Sequence, residues 1–355
     1  MKRFHELLER KPFRPHPLIR GGHLQTILGS ILPRNPPWGW TESREEFLDL
    51  DDGARVRVVI VDRDATAPTL VLVHGLGGSS DSTYMRGLSH KAYRRGWNSV
   101  LLNLYDSNLR ASPPRIFHAG SSDRLANVID RLSPTHPRIL LTGISLGGNM
   151  LLKMLGEQGG QAQSSILAAA VISPLTDLTT SWSTLDRPSN RFFRYHYLKG
   201  LRRIVRQKEI YLRDHVDLEA IRQVRTIRQF DEVFTAPLAG YRDAMEYYIK
   251  ASAAPLMKEI QVPTLLLHSK DDPLLPYEPL LSEECRSNPY LTIGLTERGG
   301  HVGFVQAAHE LDRAWAENRA LEFLDTVLSA MQRQDAGHRE DRSPAPAIDR
   351  SAPVS

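Results

Sequence analysis

Short, continuous runs of apolar residues recur along this chain, and they limit the folds that it can adopt. The runs are TLVLV (69–73), NSVLLNL (98–104), RILLTG (138–143), ILAAAVIS (166–173), PTLLLHS (263–269) and YLTIGLT (290–296). Helix-like stretches such as 83–95 and 120–132 separate several of them. Strands without polar alternation are typical of parallel sheets that helices cover on both faces. The pattern therefore predicts an α/β protein with a mostly parallel central sheet.

Changes in composition divide the chain into five predicted segments. Residues 174–260 lose the strand pattern and contain helical stretches, so we expect a helical cap inserted after the sixth strand. An N-terminal arm (1–44) is expected to pack on the core and to contain at most one short helix, around His23–Leu32. The first part of the core (45–173) opens on a hairpin at Asp51-Asp52-Gly53, and the second part (261–331) ends in a helix over 306–331. Residues 332–355 are expected to form a disordered tail.

Bulk composition excludes several classes of function. The 355 residues carry 45 Lys and Arg against 41 Asp and Glu, a net charge of +4, so no nucleic-acid partner is expected. The single cysteine, Cys285, rules out an intramolecular disulfide framework and a cysteine zinc cluster, and it fits a reducing compartment. No apolar run has the length of a signal peptide core or of a membrane span. We therefore expect a cytoplasmic protein.

The segment GISLGGNM (143–150) places a serine at the end of a predicted strand and before a predicted helix. A side chain exposed on so sharp a corner needs neighbours without a Cβ, which explains Gly143 and Gly147 on either side of Ser145. The amides at the N-terminus of the following helix favour negative charge beside the serine oxygen. The G-x-S-x-G pattern predicts that Ser145 is a nucleophile.

A serine hydroxyl needs a base that takes its proton and an acid that orients the base. In this architecture the chain order is nucleophile, acid, histidine. His301 lies in the glycine-rich loop of LTERGGHVGF, after the last predicted strand, and is the predicted base. Asp271 and Asp272 follow the preceding strand, and Asp272 is favoured because Asp-x-x-x-Pro puts it on the departing loop. Asp271, and Asp177 after an earlier strand, remain alternatives.

An oxyanion intermediate needs amide donors, and the sequence offers two. One is the Leu146 amide, directly after the nucleophile, and the other is the Leu76 amide in His74-Gly75-Leu76-Gly77-Gly78. The HGLGG loop lacks the pattern of a phosphate-binding loop, and no HExxH motif occurs. We therefore expect neither a cofactor nor a catalytic metal.

Together, HGLGG, GISLGGNM, the KDDP acid loop and GGHVGF resemble the α/β-hydrolase superfamily over roughly residues 15–328. RGGHLQTIL (20–28) and the segment 225–248 resemble its YheT-like branch, to which the abhydrolase-domain lipid and ester hydrolases are related. The resemblance implies a Ser145–Asp272–His301 triad and a carboxylesterase or lipid acyl hydrolase without a cofactor. The loop 104–120 departs from the Arg-Gly-rich loop usual in such proteins, which leaves inherited substrate preference open.

These observations predict a serine hydrolase that cleaves esters of short- to medium-chain acids, or lipid esters. Acyl transfer, phospholipase or thioesterase chemistry by the same triad is the alternative, followed by a non-catalytic ligand-binding role. The sequence leaves the oligomeric state open.

Four further predictions concern the surroundings of the site. Asp123 is expected to be a structural helix residue and His23 a structural hydrogen-bonding residue. Residues 191–213 are expected to form a cap helix with arginines on its wet face, or alternatively a helix that contacts a membrane surface. Aromatic residues of the cap are expected to enclose an apolar pocket; they are Phe192, Phe193, Tyr195, Tyr197 and Tyr211.

Overall fold

The computed structural model describes residues 2–34, 43–106, 116–307 and 312–340. Within these ranges the strands form one eight-stranded sheet with the order β1-β2-β4-β3-β5-β6-β7-β8. Strand β2 is antiparallel to β1 and β4, and the other neighbouring strands are parallel. The strands are β1 (Ser43–Asp49), β2 (Arg55–Val61), β3 (Thr69–Val73), β4 (Asn98–Asp106), β5 (Ile139–Ile144), β6 (Ile166–Ile172), β7 (Thr264–Ser269) and β8 (Leu291–Thr296).

Helices precede the sheet, connect its strands and follow it. They are α1 (Lys2–Arg10), α2 (Gly22–Ile31), α3 (Thr83–Arg94), α4 (Ser122–Leu132), α5 (Leu146–Gln158), α6 (Leu178–Leu185), α7 (Arg191–Gln207), α8 (Glu209–Leu212), α9 (Leu218–Gln223), α10 (Ile227–Phe230), α11 (Ala236–Leu238), α12 (Ala244–Ala251), α13 (Glu283–Ser287) and α14 (Trp315–Glu340). A π-helical turn spans Asp231–Thr235, and 3₁₀ turns span Gly159–Gln161, Pro188–Asn190, Ala254–Glu259 and Glu278–Leu281.

Each apolar run that predicted a strand lies in the sheet, and the predicted hairpin joins β1 to β2. Gly53 adopts φ = 82° in that turn and donates its N–H to the Leu50 carbonyl. The left-handed backbone at this position favours glycine, because a side chain there is sterically strained.

The core has two layers, one on each face of the sheet. Successive side chains of a strand point to opposite faces, so Leu140 and Leu141 of β5 belong to different apolar clusters. Leu141 packs in the layer that includes α4 and α5, and Leu140 packs in the layer that includes α3 and α14. Burial on both faces explains why the strands of the sequence lack polar alternation.

The N-terminal arm contains more helix than its sequence predicts. Helix α2 lies where a helix was expected, but α1 (Lys2–Arg10) precedes it. Leu7 and Leu8 of α1 pack against the core layer that contains α14. Their contact with the core is tertiary, and a short helix gains most of its stability from such packing. Residues 35–42 of the arm lie outside the described ranges.

The last helix begins and ends later than predicted. It starts at Trp315, not at Gln306, and it continues to Glu340, past the predicted start of the tail at 332. Asp312 defines the beginning, because its carboxylate accepts bonds from the Ala314 N–H and the Asn318 side chain. The rest of the predicted tail, 341–355, lies outside the described residues.

The segment between β6 and β7 is helical and forms the cap. Its helices share an apolar cluster that includes Leu198, Val205 and Phe230. Phe193 of α7 also packs against Leu274 and Leu275, in the loop after β7. This second contact holds the cap over the loop that carries the predicted acid. No helix in the described ranges is both long and apolar enough to cross a membrane.

Candidate active site

The predicted site residues come together at one edge of the sheet. Ser145 follows β5, the HGLGG loop follows β3, Asp272 follows β7 and His301 follows β8. These four strands are parallel neighbours or near neighbours, so their carboxyl ends meet at the same edge. Ligands of open α/β sheets bind at this edge.

Ser145 lies on a strained corner between β5 and α5, with φ = 53° and ψ = −115°. Such a backbone conformation costs a non-glycine residue on the order of 1–3 kcal/mol. The flanking glycines make the corner sterically accessible. A Cβ on Gly143 would lie 2.6 Å from the Gly147 carbonyl oxygen, and a Cβ on Gly147 would lie 2.5 Å from the Val73 carbonyl oxygen. Both distances are far below van der Waals contact.

A chain of hydrogen bonds joins the serine, the histidine and one aspartate. The Ser145 Oγ lies 3.0 Å from His301 Nε2, and His301 Nδ1 lies 2.8 Å from Asp272 Oδ2. An ionised carboxylate only accepts hydrogen bonds, so Nδ1 carries the ring proton. Nε2 is then free to accept the bond from the Ser145 hydroxyl. His301 is 7% exposed, which shields this contact from water.

The surroundings of Asp272 favour its ionised form. Burial opposes the charge, but the neighbouring His301 and His268 rings and a backbone amide outweigh it and lower the pKa of Asp272. Its Oδ1 accepts bonds from the Leu274 and Leu275 amides, at 2.8 and 3.0 Å. These two amides leave Oδ2 for His301. Burial lowers the pKa of His268, against the raising effect of the Asp272 charge.

The other two candidate acids bind elsewhere. Asp271 accepts the Gly300 N–H at 2.8 Å and so fixes the loop that carries His301. Asp177 caps the N-terminus of α6 by accepting the Thr179 N–H. Of the three aspartates considered, Asp272 is the one that meets the histidine.

The HGLGG loop passes directly over the serine. A Cβ on Gly75 would lie 3.2 Å from the Ser145 Cβ, a tighter approach than most side chains tolerate. His74 holds the loop against β4, because its Nδ1–H donates to the Gly75 carbonyl while its Nε2 accepts the N–H of Leu104 in that strand. Burial lowers the pKa of His74 to about 4, so the ring is neutral and this bonding pattern is stable.

Both predicted oxyanion residues border the same cavity. Leu76 and Leu146 line it together with Gly75. Within the described residues, neither the Leu76 amide nor the Leu146 amide donates to a protein acceptor. Two unsatisfied N–H groups beside the serine are what an oxyanion site requires.

This cavity, hereafter the cap cavity, lies between the HGLGG loop and the cap, and the empty space in it and at its open mouth totals about 1130 Å³. Its apolar walls include Leu178, Trp182, Leu201, Ile204, Phe230 and Phe234. An apolar pocket under the cap was predicted and is present, but the aromatic residues predicted for its walls are wrong. None of the five aromatics named from residues 191–213 lines the cap cavity, and Phe192 and Tyr195 are 60% and 65% exposed. A residue list cannot show which side of a helix faces inward.

Sequence reasoning missed residues that hold the histidine loop in place. Thr26 accepts the His301 N–H at 2.9 Å, and the buried Gln25 bonds both the N–H and the carbonyl of Val305. Ser173, with φ = 46°, accepts the Val302 N–H at 3.0 Å. The sequence signal that could have pointed to Gln25 and Thr26 is the RGGHLQTIL segment, which resembles the YheT-like branch but by itself assigns these residues no role.

Two further expectations have different outcomes. Asp123 is exposed and lies in the first turn of α4, as expected of a helix residue. The hydrogen-bonding role predicted for His23 is wrong for the described residues. The His23 side chain is exposed and makes no hydrogen bond to the described residues; its ring contacts the ring of Phe193, at a centroid distance of 5.9 Å. Most of the divergent loop 104–120, residues 107–115, lies outside the described ranges.

Comparison with known proteins gives the family. The chain matches the model of the alpha/beta hydrolase family over residues 70–314, more than half of its length. The chain belongs to this family. The resemblance to the α/β-hydrolase superfamily and the predicted fold class are thereby confirmed.

Individual relatives agree with the predicted branch. This α/β-hydrolase is 32% identical to YheT of Escherichia coli (strain K12) over 320 residues, which cover 87% of the chain and 91% of the relative. It is 29% identical to the Homo sapiens protein named "Phospholipase ABHD3" over 321 residues, 86% of the chain and 77% of the relative. The solved structure of the Pyrococcus furiosus esterase Pf2001 aligns with a TM-score of 0.55 at 15% identity, over 82% of this chain and 95% of that one. At that identity the likeness shows the fold alone.

Proposed function

We propose that this α/β-hydrolase is a serine esterase that cleaves carboxylic esters of short- to medium-chain acids or lipids. The observation that carries the proposal is the hydrogen-bonded chain from Ser145 through His301 to Asp272, beside a largely apolar cavity. Relatives named "Phospholipase ABHD3" and, in Saccharomyces cerevisiae, "Monoacylglycerol lipase" support hydrolysis of esters or lipids. The single cysteine supports a cytoplasmic location.

The proposed reaction proceeds in two halves. His301 Nε2 takes the proton of Ser145 as its Oγ attacks the acyl carbon, and the Leu76 and Leu146 amides stabilise the oxyanion. His301 then gives this proton to the leaving alcohol, which departs and leaves an acyl-serine. In the second half, His301 takes a proton from water, the hydroxyl attacks the acyl carbon, and the proton returns to Ser145. Asp272 holds the His301 ring and stabilises its positive charge throughout.

Covalent labelling tests the nucleophile directly. A fluorophosphonate probe should label the wild-type protein at Ser145, because an activated serine oxygen attacks phosphorus as it attacks an acyl carbon. Peptide mass spectrometry locates the adduct. Ser145→Ala should abolish the labelling, and Ser164→Ala, which changes a serine away from the site, should not. Equal labelling of wild type and Ser145→Ala would overturn the assignment.

Acyl transfer by the same residues is the second candidate. It differs only in whether water or another alcohol or thiol attacks the acyl-serine, and the largely apolar walls of the cavity support it because they offer water few hydrogen bonds. Product analysis with an added alcohol separates the two, because hydrolysis yields the free acid and transfer yields a new ester. A non-catalytic binding role predicts no acyl-serine at all.

A further inference from the structure

The cap cavity is apolar on most of its surface but contains a carboxyl group. Asp231 lies at the start of the π-helical turn Asp231–Thr235 and lines the cavity. Its Oδ1 accepts a bond from the Thr235 hydroxyl at 2.7 Å, and its Oδ2 accepts one from the Tyr248 hydroxyl at 2.8 Å. A carboxylate has about four acceptor positions, so these two bonds leave capacity for another donor.

Asp231 has no cationic partner among the residues that the structure describes. Burial raises its pKa to about 6 against the lowering effect of the Thr235 and Tyr248 bonds. It keeps part of its surface accessible although it lies deep in the protein, because that surface faces the cavity. Accepting hydrogen bonds from the Thr235 and Tyr248 hydroxyls does not by itself require an ionisable group at this position. An unpaired carboxyl on a cavity wall indicates a binding function.

A second polar group, with the opposite hydrogen-bonding role, lines the same cavity. His118 Nδ1 accepts the Gly120 N–H at 3.1 Å. Burial, with the charges of Arg124 and Lys153, lowers the pKa of His118 to about 3, so the ring is neutral. Since Nδ1 accepts, the remaining ring proton is on Nε2. Nε2 has no acceptor among the described residues, so it is a free donor.

Two tyrosines connect these groups in space. The ring of His118 lies 5.5 Å from the ring of Tyr247, which in turn lies 5.5 Å from the ring of Tyr248. Tyr248 donates to Asp231. The cavity therefore offers a donor and an acceptor around one aromatic pair. A hydroxyl group is both donor and acceptor, whereas an ammonium group cannot accept from His118 and an ionised carboxylate cannot donate to Asp231.

We propose that the cap cavity binds a hydroxyl-bearing part of the substrate, with Asp231 accepting a hydrogen bond from a substrate hydroxyl and His118 Nε2 donating one. This inference rests on the proposed function and specifies its substrate class as hydroxylated esters. The hydroxyl could belong to the acyl chain or to the alcohol, because both must fit beside Leu76 and Leu146. The same chemistry recognises either source.

Matched substrates test the proposal in the full-length wild-type protein. For the acyl side, p-nitrophenyl ω-hydroxyoctanoate is compared with the isosteric nonanoate and with ω-methoxyoctanoate, and the hexanoate and decanoate series are treated alike. For the alcohol side, monooctanoylglycerol is compared with propyl octanoate. We expect the hydroxyl to raise kcat/KM by about tenfold in the acyl-side comparison, the alcohol-side comparison or both, because a hydrogen bond to a charged carboxylate is worth about that much. The methoxy compound, which cannot donate, should match the plain ester.

Variants assign the preference to its residues. Asp231→Asn should reduce the hydroxyl preference towards unity, and His118→Asn, which keeps an acceptor for Gly120, should reduce it as well. Asp243→Asn is the matched control, because Asp243 is a cap carboxylate that accepts the Glu246 N–H at 2.7 Å and does not line the cavity. It should retain the wild-type preference. Thermal melting of each variant checks that it is folded.

Three outcomes would overturn the inference. They are equal kcat/KM for hydroxylated and plain esters in every arm, a preference for ω-amino over ω-hydroxy chains, and an Asp231→Asn variant that loses activity on all substrates by the same factor. Each of these leaves hydrolysis dependent on Ser145. If the wild-type protein shows no ester hydrolysis that depends on Ser145, the proposed function is overturned instead, and this inference with it.

Discussion

Two adjacent aspartates, Asp271 and Asp272, have different partners because the loop after β7 turns between them. Asp272 receives two backbone amides on one oxygen and His301 on the other. Asp271 points to the Gly300 amide and holds the histidine loop. At the residue scale, one aspartate orients the ring of His301 and the other orients its backbone.

This division predicts unequal effects of two conservative substitutions. Asp272→Asn should reduce kcat by a factor that can reach about 10⁴, because an asparagine amide favours the wrong tautomer of His301. Asp271→Asn keeps an acceptor for the Gly300 N–H and should cost far less. Steady-state kinetics on one p-nitrophenyl ester, with circular dichroism to verify folding, measures both. The reverse ranking would move the acid to Asp271.

At the element scale, helix α5 lies unusually close to the ends of β3 and β5. The close approach is possible because Gly143 and Gly147 have no side chain, and a Cβ at either position would meet a backbone oxygen at 2.5–2.6 Å. Backbone cannot move aside cheaply, so the glycines fix the position of the helix and of the Leu146 amide at its first residue.

Gly147→Ala should therefore destabilise the protein by about 1–3 kcal/mol and lower kcat as well, since the helix must shift away from Val73. Gly200→Ala is the control. Gly200 lies within α7, and a Cβ there meets nothing within 4 Å. That variant should be more stable by up to about 1 kcal/mol. Urea unfolding measures both changes, and equal effects would contradict this explanation of the elbow.

The cap helices predict a limited acyl-chain length. Each buried methylene is worth about 0.8 kcal/mol, or roughly fourfold in binding, so kcat/KM should rise from acetate to a maximum at roughly four to ten carbons. Ile204→Phe, which fills part of the cap cavity, should move the maximum to shorter chains. Phe192→Leu, at an exposed position outside the cavity, should not. A series of p-nitrophenyl esters measures the profile.

The opposite result has a definite meaning. A rise that continues to long-chain triglycerides, with activation at an oil–water surface, would contradict the enclosed pocket. It would favour the alternative in which residues 191–213 contact a membrane surface, since Phe192 and Tyr195 are exposed beside arginines on α7.

For the whole molecule, a buried network of charges joins the N-terminal arm to the core. Glu317 of α14 binds Arg34 at 2.9 Å and Lys91 of α3 at 2.8 Å, and all three side chains are 5% exposed. Asp312 also binds Lys91, at 2.7 Å. The arm carries Gln25 and Thr26, which hold the histidine loop. Packing far from the cavity thus contributes to the geometry of the site.

Glu317→Gln should lower the free energy of unfolding by about 3–5 kcal/mol, because it leaves two buried cations with too little negative charge. Glu45→Gln removes one partner of the half-exposed ion pair with Arg57, and it should change the free energy of unfolding by at most about 1 kcal/mol. Guanidinium unfolding compares them. A loss in Glu317→Gln as small as in Glu45→Gln would show that the network contributes little.

Local sequence determined the strands and the order of the site residues. A continuous apolar run can be identified as a buried strand from its own residues, without knowing what it packs against. The same holds for a serine between two glycines at the end of such a strand. The strands, the hairpin at Gly53 and the α/β-hydrolase class follow from such local patterns. The roles of Ser145, Asp272 and His301 remain predictions, now supported by their contacts.

Tertiary structure decided what depends on contacts between distant segments. Helix α1 is stabilised by leucines that pack on the core, and the start of α14 depends on a cap at Asp312. The walls of the cap cavity depend on which face of each cap helix turns inward, so Phe230 and Phe234 line it while Phe192 is exposed. Local sequence specifies backbone preference and apolarity. It does not specify which surfaces meet, because that free energy is gained only when the whole chain is folded.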